Sequence, residues 1–170
     1  NAAERIDSQD AETARQVSDF LIGLFQVSDP NEAKGNTITA RAILDKGAEK
    51  IDRDLGGQPR VQRRLMVTMG QVYHNLGLLA TAARLKERAL EIARHMPDQR
   101  EADVAGMELE LAWLYRFQGR LTDAIALCRD GLARREKAYG HTHYQTARAV
   151  RLLGILLRDA GDFPEAQRLL

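Results

Sequence analysis

The sequence predicts an all-α chain of stacked helical hairpins, about four in number, with the last one truncated. Two observations carry this reading. Gly35, Gly77, Gly119 and Gly161 fall 42 residues apart, and small and aromatic residues recur in phase with them. Seven residues ahead stand Gly70, Ala112 and Gly154, and four ahead stand Tyr73, Tyr115 and Leu157. Five beyond stand Ala40, Ala82, Ala124 and Ala166, and twelve beyond stand Gly47, Ala89 and Gly131. A fixed period in this range marks a repeat in which no single hairpin can bury its apolar face, so neighbours stack to complete one core. The composition agrees. Ala, Leu, Arg and Glu are plentiful, aromatics make up 5% and there are 4 prolines, a mixture that favours helix over strand.

The elements follow from the phase. First helices of the units are expected near 11–28, 59–76, 99–118 and 143–160, and second helices near 37–54, 78–95, 120–138 and 163–170. Apolar spacing supports them, with Val17, Phe20, Leu21, Leu24 and Phe25 on one stripe and Leu111, Leu114 and Tyr115 on another. The phased glycines end the first helices, because glycine enters the left-handed cap conformation at little cost. Asp10, Asp98 and Thr142 are expected N-caps. Pro59 suits a first helical position, where its missing N–H is not needed. Gly56-Gly57, Pro97 and Gly140 punctuate the joints. Tyr73, Tyr115 and Leu157 should fill the space inside each hairpin, and the phased small residues should lie where helices cross closely. Residues 1–57, with a loop at Ser28-Asp29-Pro30-Asn31, read as an irregular capping hairpin. Residues 58–170 read as regular repeats, within a single solenoid domain overall.

Composition narrows the function. A net charge of +1 argues against a protein that binds polyanions in bulk, and leaves room for a local basic patch. One cysteine, Cys128, permits no internal disulfide. The longest apolar run, Phe20 to Val27, is too short to cross a bilayer, and no signal peptide is visible. A start at Asn1 and a stop at Leu170 inside a helix read as cuts in a longer protein.

The recurring pattern small–x–x–aromatic–x–x–x–Gly–x–x–x–x–Ala resembles the tetratricopeptide repeat, whose usual unit is about 34 residues. The 42-residue period resembles the longer variant of kinesin light chains and many bacterial proteins. Tyr139-Gly140-His141-Thr142-His143-Tyr144-Gln145-Thr146-Ala147 is similar to the joint of that variant, with Tyr144 in place of its proline, and the resemblance implies that His143 fastens the joint. A second resemblance runs from Val17-Ser18-Asp19-Phe20 through Gly35-Asn36-Thr37-Ile38 to Lys46-Gly47. It is similar to the segment that precedes the repeats in bacterial eukaryotic-like serine/threonine kinases, and implies a sensing, scaffolding or substrate-recruiting region beside such an enzyme. No Gly-x-Gly-x-x-Gly, His-Arg-Asp or Asp-Phe-Gly is present, and Asp162-Phe163-Pro164 only opens a repeat helix. No phosphotransfer is expected of this stretch.

In this repeat family, first helices line a concave face, and the resemblance transfers its inner positions to Arg64, Val67, Gln71, His74 and Asn75 in the second unit. In the third they are Gly106, Leu109, Trp113, Arg116 and Phe117, and in the fourth Arg148, Arg151, Ile155, Arg158 and Asp159. Five arginines stand there against one carboxylate, beside the chain's one tryptophan. Guanidinium forks suit carboxylates and phosphates, and flat rings suit apolar anchors. The expected partner is therefore a protein or peptide segment with acidic residues or a free carboxylate. The alternative for these arginines is a plain solvated face.

His141 and His143, with Cys128 on the preceding helix, are too few for a structural metal, so neither metal nor cofactor is expected. His95 reads as solvated, and Cys128 as a buried small hydrophobe. Asp7, Asp10, Glu12, Glu101 and Asp103 favour helix openings through the dipole. Arg84, Lys86, Arg88, Arg94, Arg129, Arg134, Arg135 and Lys137, interspersed with acids, read as a solvated convex face and not as a nucleic-acid stripe. Two rival functions remain: a peptide-sensing regulator without a kinase, and a self-association module that pairs through the open end at Phe163, Leu169 and Leu170.

Overall fold

A computed structural model of the chain describes the backbone of residues 2–26 and 40–170 and the side chains of 8–23 and 41–170. The expected loop at Ser28–Asn31, Gly35, and the helix ends placed at 27–28 and 37–39 lie outside the described residues. So do the side chains of Leu24, Phe25 and Ala40.

The described residues form α1 (Ala2–Gln26), α2 (Ala40–Asp54), α3 (Pro59–Asn75), α4 (Leu79–His95), α5 (Glu101–Phe117), α6 (Leu121–Tyr139), α7 (Tyr144–Asp159) and α8 (Phe163–Leu169), with no strand among them. The six helices from α3 to α8 begin and end within two residues of the expected bounds. The largest departure is α1, which begins at Ala2, so Asp10 lies in a helix interior and is not an N-cap. The other two expected caps also fail. Arg100 stands at the cap of α5 in extended conformation without a side-chain cap, and its guanidinium pairs with Asp103 in the first turn at 2.9 Å. At α7 the cap is His143, not Thr142: its Nδ1 accepts from the Gln145 N–H at 3.2 Å. Asp162 caps α8 by accepting from Glu165 N–H.

The chain divides into two compact units, Asn1–Met69 and Gly70–Leu170, the division falling within α3. In the first unit, α1 packs on α2. Ile51, Leu65, Met66 and Met69 are buried, and Gln62 Nε2 donates to Asp52 Oδ1 at 3.3 Å, tying α3 to α2.

In the second unit each helix from α4 to α8 packs on the next, and α5 also touches α7. The three described phased glycines have φ of 75° at Gly77, 73° at Gly119 and 86° at Gly161, where only glycine is free of Cβ strain. Each closes the same pair of hydrogen bonds. Gly77 N–H donates to His74 O and Leu78 N–H to Tyr73 O, and the same bonds recur at Gly119–Arg116 and Arg120–Tyr115, then at Gly161–Arg158 and Asp162–Leu157. This is the Schellman arrangement, which satisfies carbonyls that the helix end would leave orphaned. Tyr73, Tyr115 and Leu157, whose carbonyls accept there, are also buried between helices.

The phased small residues lie at close crossings. A Cβ on Gly131 would stand 3.0 Å from the Leu109 side chain and 3.3 Å from Ala105 O, where α6 crosses α5. A Cβ on Gly70 would stand 3.1 Å from Lys86 Cγ and 3.4 Å from Ala82 O. Cys128 is buried on α6, and its thiol faces Ala149 O of α7 at 3.7 Å. Desolvation pushes that thiol up to about 12, so it stays protonated and serves as packing, as a buried small hydrophobe should.

Candidate functional site on the second unit

The last turn and a half of α3, together with α5 and α7, surround a concavity of about 690 Å³. α5 and α7 touch one another, and residues 70–75 of α3 belong to the same unit as both. Of the positions expected from sequence, Gln71 and His74 of α3, Gly106, Leu109 and Trp113 of α5, and Arg148, Arg151 and Ile155 of α7 all line it. Leu114 and Leu152 add apolar wall.

The remaining expected residues lie elsewhere. Arg64, exposed, and Val67, half-buried, belong to the first unit. Asn75, Arg116, Phe117, Arg158 and Asp159 are not among the lining residues. Asn75 accepts from Gln71 Nε2 at 2.9 Å, which ties Gln71 back along α3. Arg116 donates from Nε to Asp159 at 2.6 Å, and Arg158 reaches the same carboxylate at 3.4 Å. Partial burial opposes ionisation of Asp159, but the two guanidiniums outweigh it and hold its carboxyl below the usual range. Two of the five arginines on these positions are thus already partnered.

The aromatic part is organised by cation and quadrupole contacts. Trp113 and Phe117 meet edge to face at 5.3 Å and 86°. The Arg116 guanidinium lies 4.9 Å from the Trp113 ring and 5.6 Å from that of Phe117. Trp113 stays 37% exposed and Phe117 52%, so both offer apolar surface held in one orientation.

Two wall residues were placed wrongly by sequence. Lys86 and Arg135 belong to second helices and were expected on a solvated convex face, yet both line the concavity. Each reaches it past a glycine. The Lys86 stem lies against Gly70, and its Nζ pairs with Glu110 Oε2 at 2.9 Å. Arg135 Nη2 would stand 3.2 Å from a Cβ on Gly106. Gly106 holds the position that Arg64 and Arg148 hold in the neighbouring repeats, and the missing side chain leaves room for Arg135. The substitution of glycine in that row was the one available signal. Glu110 and Gln145, also in the wall, had no signal of this kind.

The α6–α7 joint precedes the wall residue Gln145. The His143 ring stacks on Tyr139 at 4.6 Å and lies 4.8 Å from Tyr144. Thr146 Oγ1 donates to Gly140 O at 2.7 Å. His143 therefore fastens the joint, through its cap bond and its stacking. On the other side of α5, Tyr115 donates to Glu87 at 2.6 Å beneath the Arg120 guanidinium, 3.8 Å from its ring. Burial and the Glu87 bond push the Tyr115 hydroxyl up to about 12. Among the described residues no group of three or more His, Cys, Asp or Glu could hold a metal ion, and no helix is long and apolar enough to cross a membrane.

Comparison with known proteins agrees with this architecture. The tetratricopeptide repeat model matches residues 103–170. Among solved structures, BtubC (BKLC) from P. vanneervenii is similar over 99% of this chain and 71% of its own, with a TM-score of 0.64 and 19% identity. A Podosopora anserina structure of nearly identical TPR-like repeats is similar over 97% of this chain and 91% of its own, with a TM-score of 0.55 and 16% identity. A comparison with curated proteins found no match. The chain thus has the fold of tetratricopeptide-like helical repeats, and its residues 103–170 carry the repeat's own sequence signature.

Proposed function

We propose that this chain is a protein-interaction module that holds a peptide or protein segment in the concavity of its second unit. Repeats of this kind generally mediate contacts between proteins. The observation that carries the reading is the convergence of Trp113, Leu109 and Ile155 with Arg148 and Arg151 on one hollow wall. Aromatic and arginine side chains are the commonest anchors at protein interfaces. A guest with an apolar residue and an acidic one fits that wall. Selection from a peptide library displayed on phage supplies guests. Trp113→Ala and Arg151→Glu should each weaken them about tenfold, the effect of losing about 1.4 kcal/mol. Arg116→Glu should weaken them less, since Arg116 is spent on Asp159 and on holding Trp113. Unchanged affinity in all three variants rejects the groove.

The finer setting, beside a serine/threonine kinase in a bacterial signalling protein, is supported by the resemblance of residues 17–47 alone. A kinase domain encoded in the same reading frame is its test. Self-association through α8 is a second reading, favoured by Phe163 and Leu170, each 65% exposed. Light scattering that shows a concentration-dependent dimer, abolished by Phe163→Ser, would support it.

A further inference from the structure

The arginines of α5 to α7 fall into two groups. Arg116, Arg120, Arg129, Arg134 and Arg158 each have a carboxylate oxygen within 4.0 Å. Arg135, Arg148 and Arg151 have none among the described residues, and these three share the concavity. The pattern is a sorted one, because every other arginine from α5 to α7 has a carboxylate partner. Arg148 and Arg151 are exposed and one turn apart on α7. Arg135 enters the same concavity from α6, past Gly106. Its guanidinium lies 5.6 Å from the Tyr139 ring, and its Nε is buried without a hydrogen-bond acceptor. The carboxylate in the same wall, Glu110, is neutralised by Lys86 at 2.9 Å. Three formal positive charges therefore face the hollow without an anion.

We infer that this cluster is a subsite for a phosphomonoester on the bound segment, a phosphoserine or phosphothreonine, with Trp113 and Ile155 receiving an apolar residue beside it. The inference rests on the concave-face reading and deepens it. A single carboxylate brings one charge and two oxygens. A phosphoryl group brings a charge of about −1.5 to −2 and three strong acceptor oxygens at neutral pH, which suits three forked donors. Arginine clusters of this composition are a recurring way of reading phosphorylated segments. Gly106 acts as a positioning residue here, since the gap it leaves is what admits Arg135.

Three degenerate peptide pools test this, identical except for a fixed central phosphoserine, serine or glutamate. Their binding is measured by fluorescence anisotropy on the full chain. The phosphoserine pool should bind at least about tenfold tighter than either of the others. Arg148→Gln and Arg151→Gln, both at exposed positions, should erase that preference while leaving the circular dichroism spectrum unchanged. Equal binding of the phosphoserine and glutamate pools, with loss in Trp113→Ala, overturns the phosphate subsite and leaves the groove standing. Absence of binding by all three pools to folded protein overturns both. A preference that survives in the Arg148→Gln, Arg151→Gln double variant places the phosphate elsewhere and overturns the assignment.

Discussion

Glu108 departs from the apolar row of its own repeat. Met66 and Val150 occupy the same phase in the neighbouring repeats, but here a carboxylate is 0% exposed. Arg94 of α4 donates to its Oε1 at 2.7 Å and Arg134 of α6 at 3.2 Å, while Arg134 also pairs with Glu101. Glu108 Oε2 has no partner. Burying an ion is costly, and the attraction of its partners repays that cost only with complete hydrogen bonding. Apolar replacement of the whole carboxylate should therefore be benign, whereas removing a partner should not. Glu108→Met, which restores the apolar row, is expected to leave urea-unfolding stability unchanged or raised. Arg134→Ala is expected to lower it by about 2 kcal/mol, since Arg94 still holds the carboxylate. The reverse order would show that the pairing itself stabilises the fold. The oddity of Glu108 was available in its in-phase row but was not read there. Its partners were not legible, because both arginines come from second helices, whose charges read only as a mixed solvated face.

At the scale of the element, helix ends were legible at their glycines and illegible at their caps, for a physical reason. A left-handed C-cap demands glycine wherever it occurs, so a local rule suffices. An N-cap can be supplied by several residue types or by none, as at Arg100, and its choice depends on how the joint packs. His143 took the role expected of Thr142 because its ring is already held between Tyr139 and Tyr144. Gly119 tests the glycine argument cleanly. Nothing lies within 4 Å of a Cβ added there, so Gly119→Ala pays only for its positive φ. The expected loss is about 1–2 kcal/mol in urea unfolding. Gly57→Ala, at an equally open site without positive φ, should cost nothing. Equal effects at the two positions would refute the role assigned to the phased glycines.

For the whole molecule, the period placed three first helices around a common hollow and put eight of the expected residues on its wall. What it could not show is that the wall is shared. Lys86 and Arg135 enter from second helices through gaps left by Gly70 and Gly106, and a rule that assigns one face to each helix cannot see a long side chain threading between two of them. Charge sorting was equally hidden, since pairing of Arg116 with Asp159 depends on neighbours 43 residues apart. The account of function depends on the hollow being where a guest sits, and the chain supplies its own reporter there. Trp113 is its one tryptophan, it lines the concavity and it is 37% exposed. Titration with peptides selected from the displayed library, followed by indole emission, is the most direct measurement. A saturable blue shift with the same midpoint as the anisotropy curve is the predicted result. Saturable binding that leaves the Trp113 emission unchanged would contradict it.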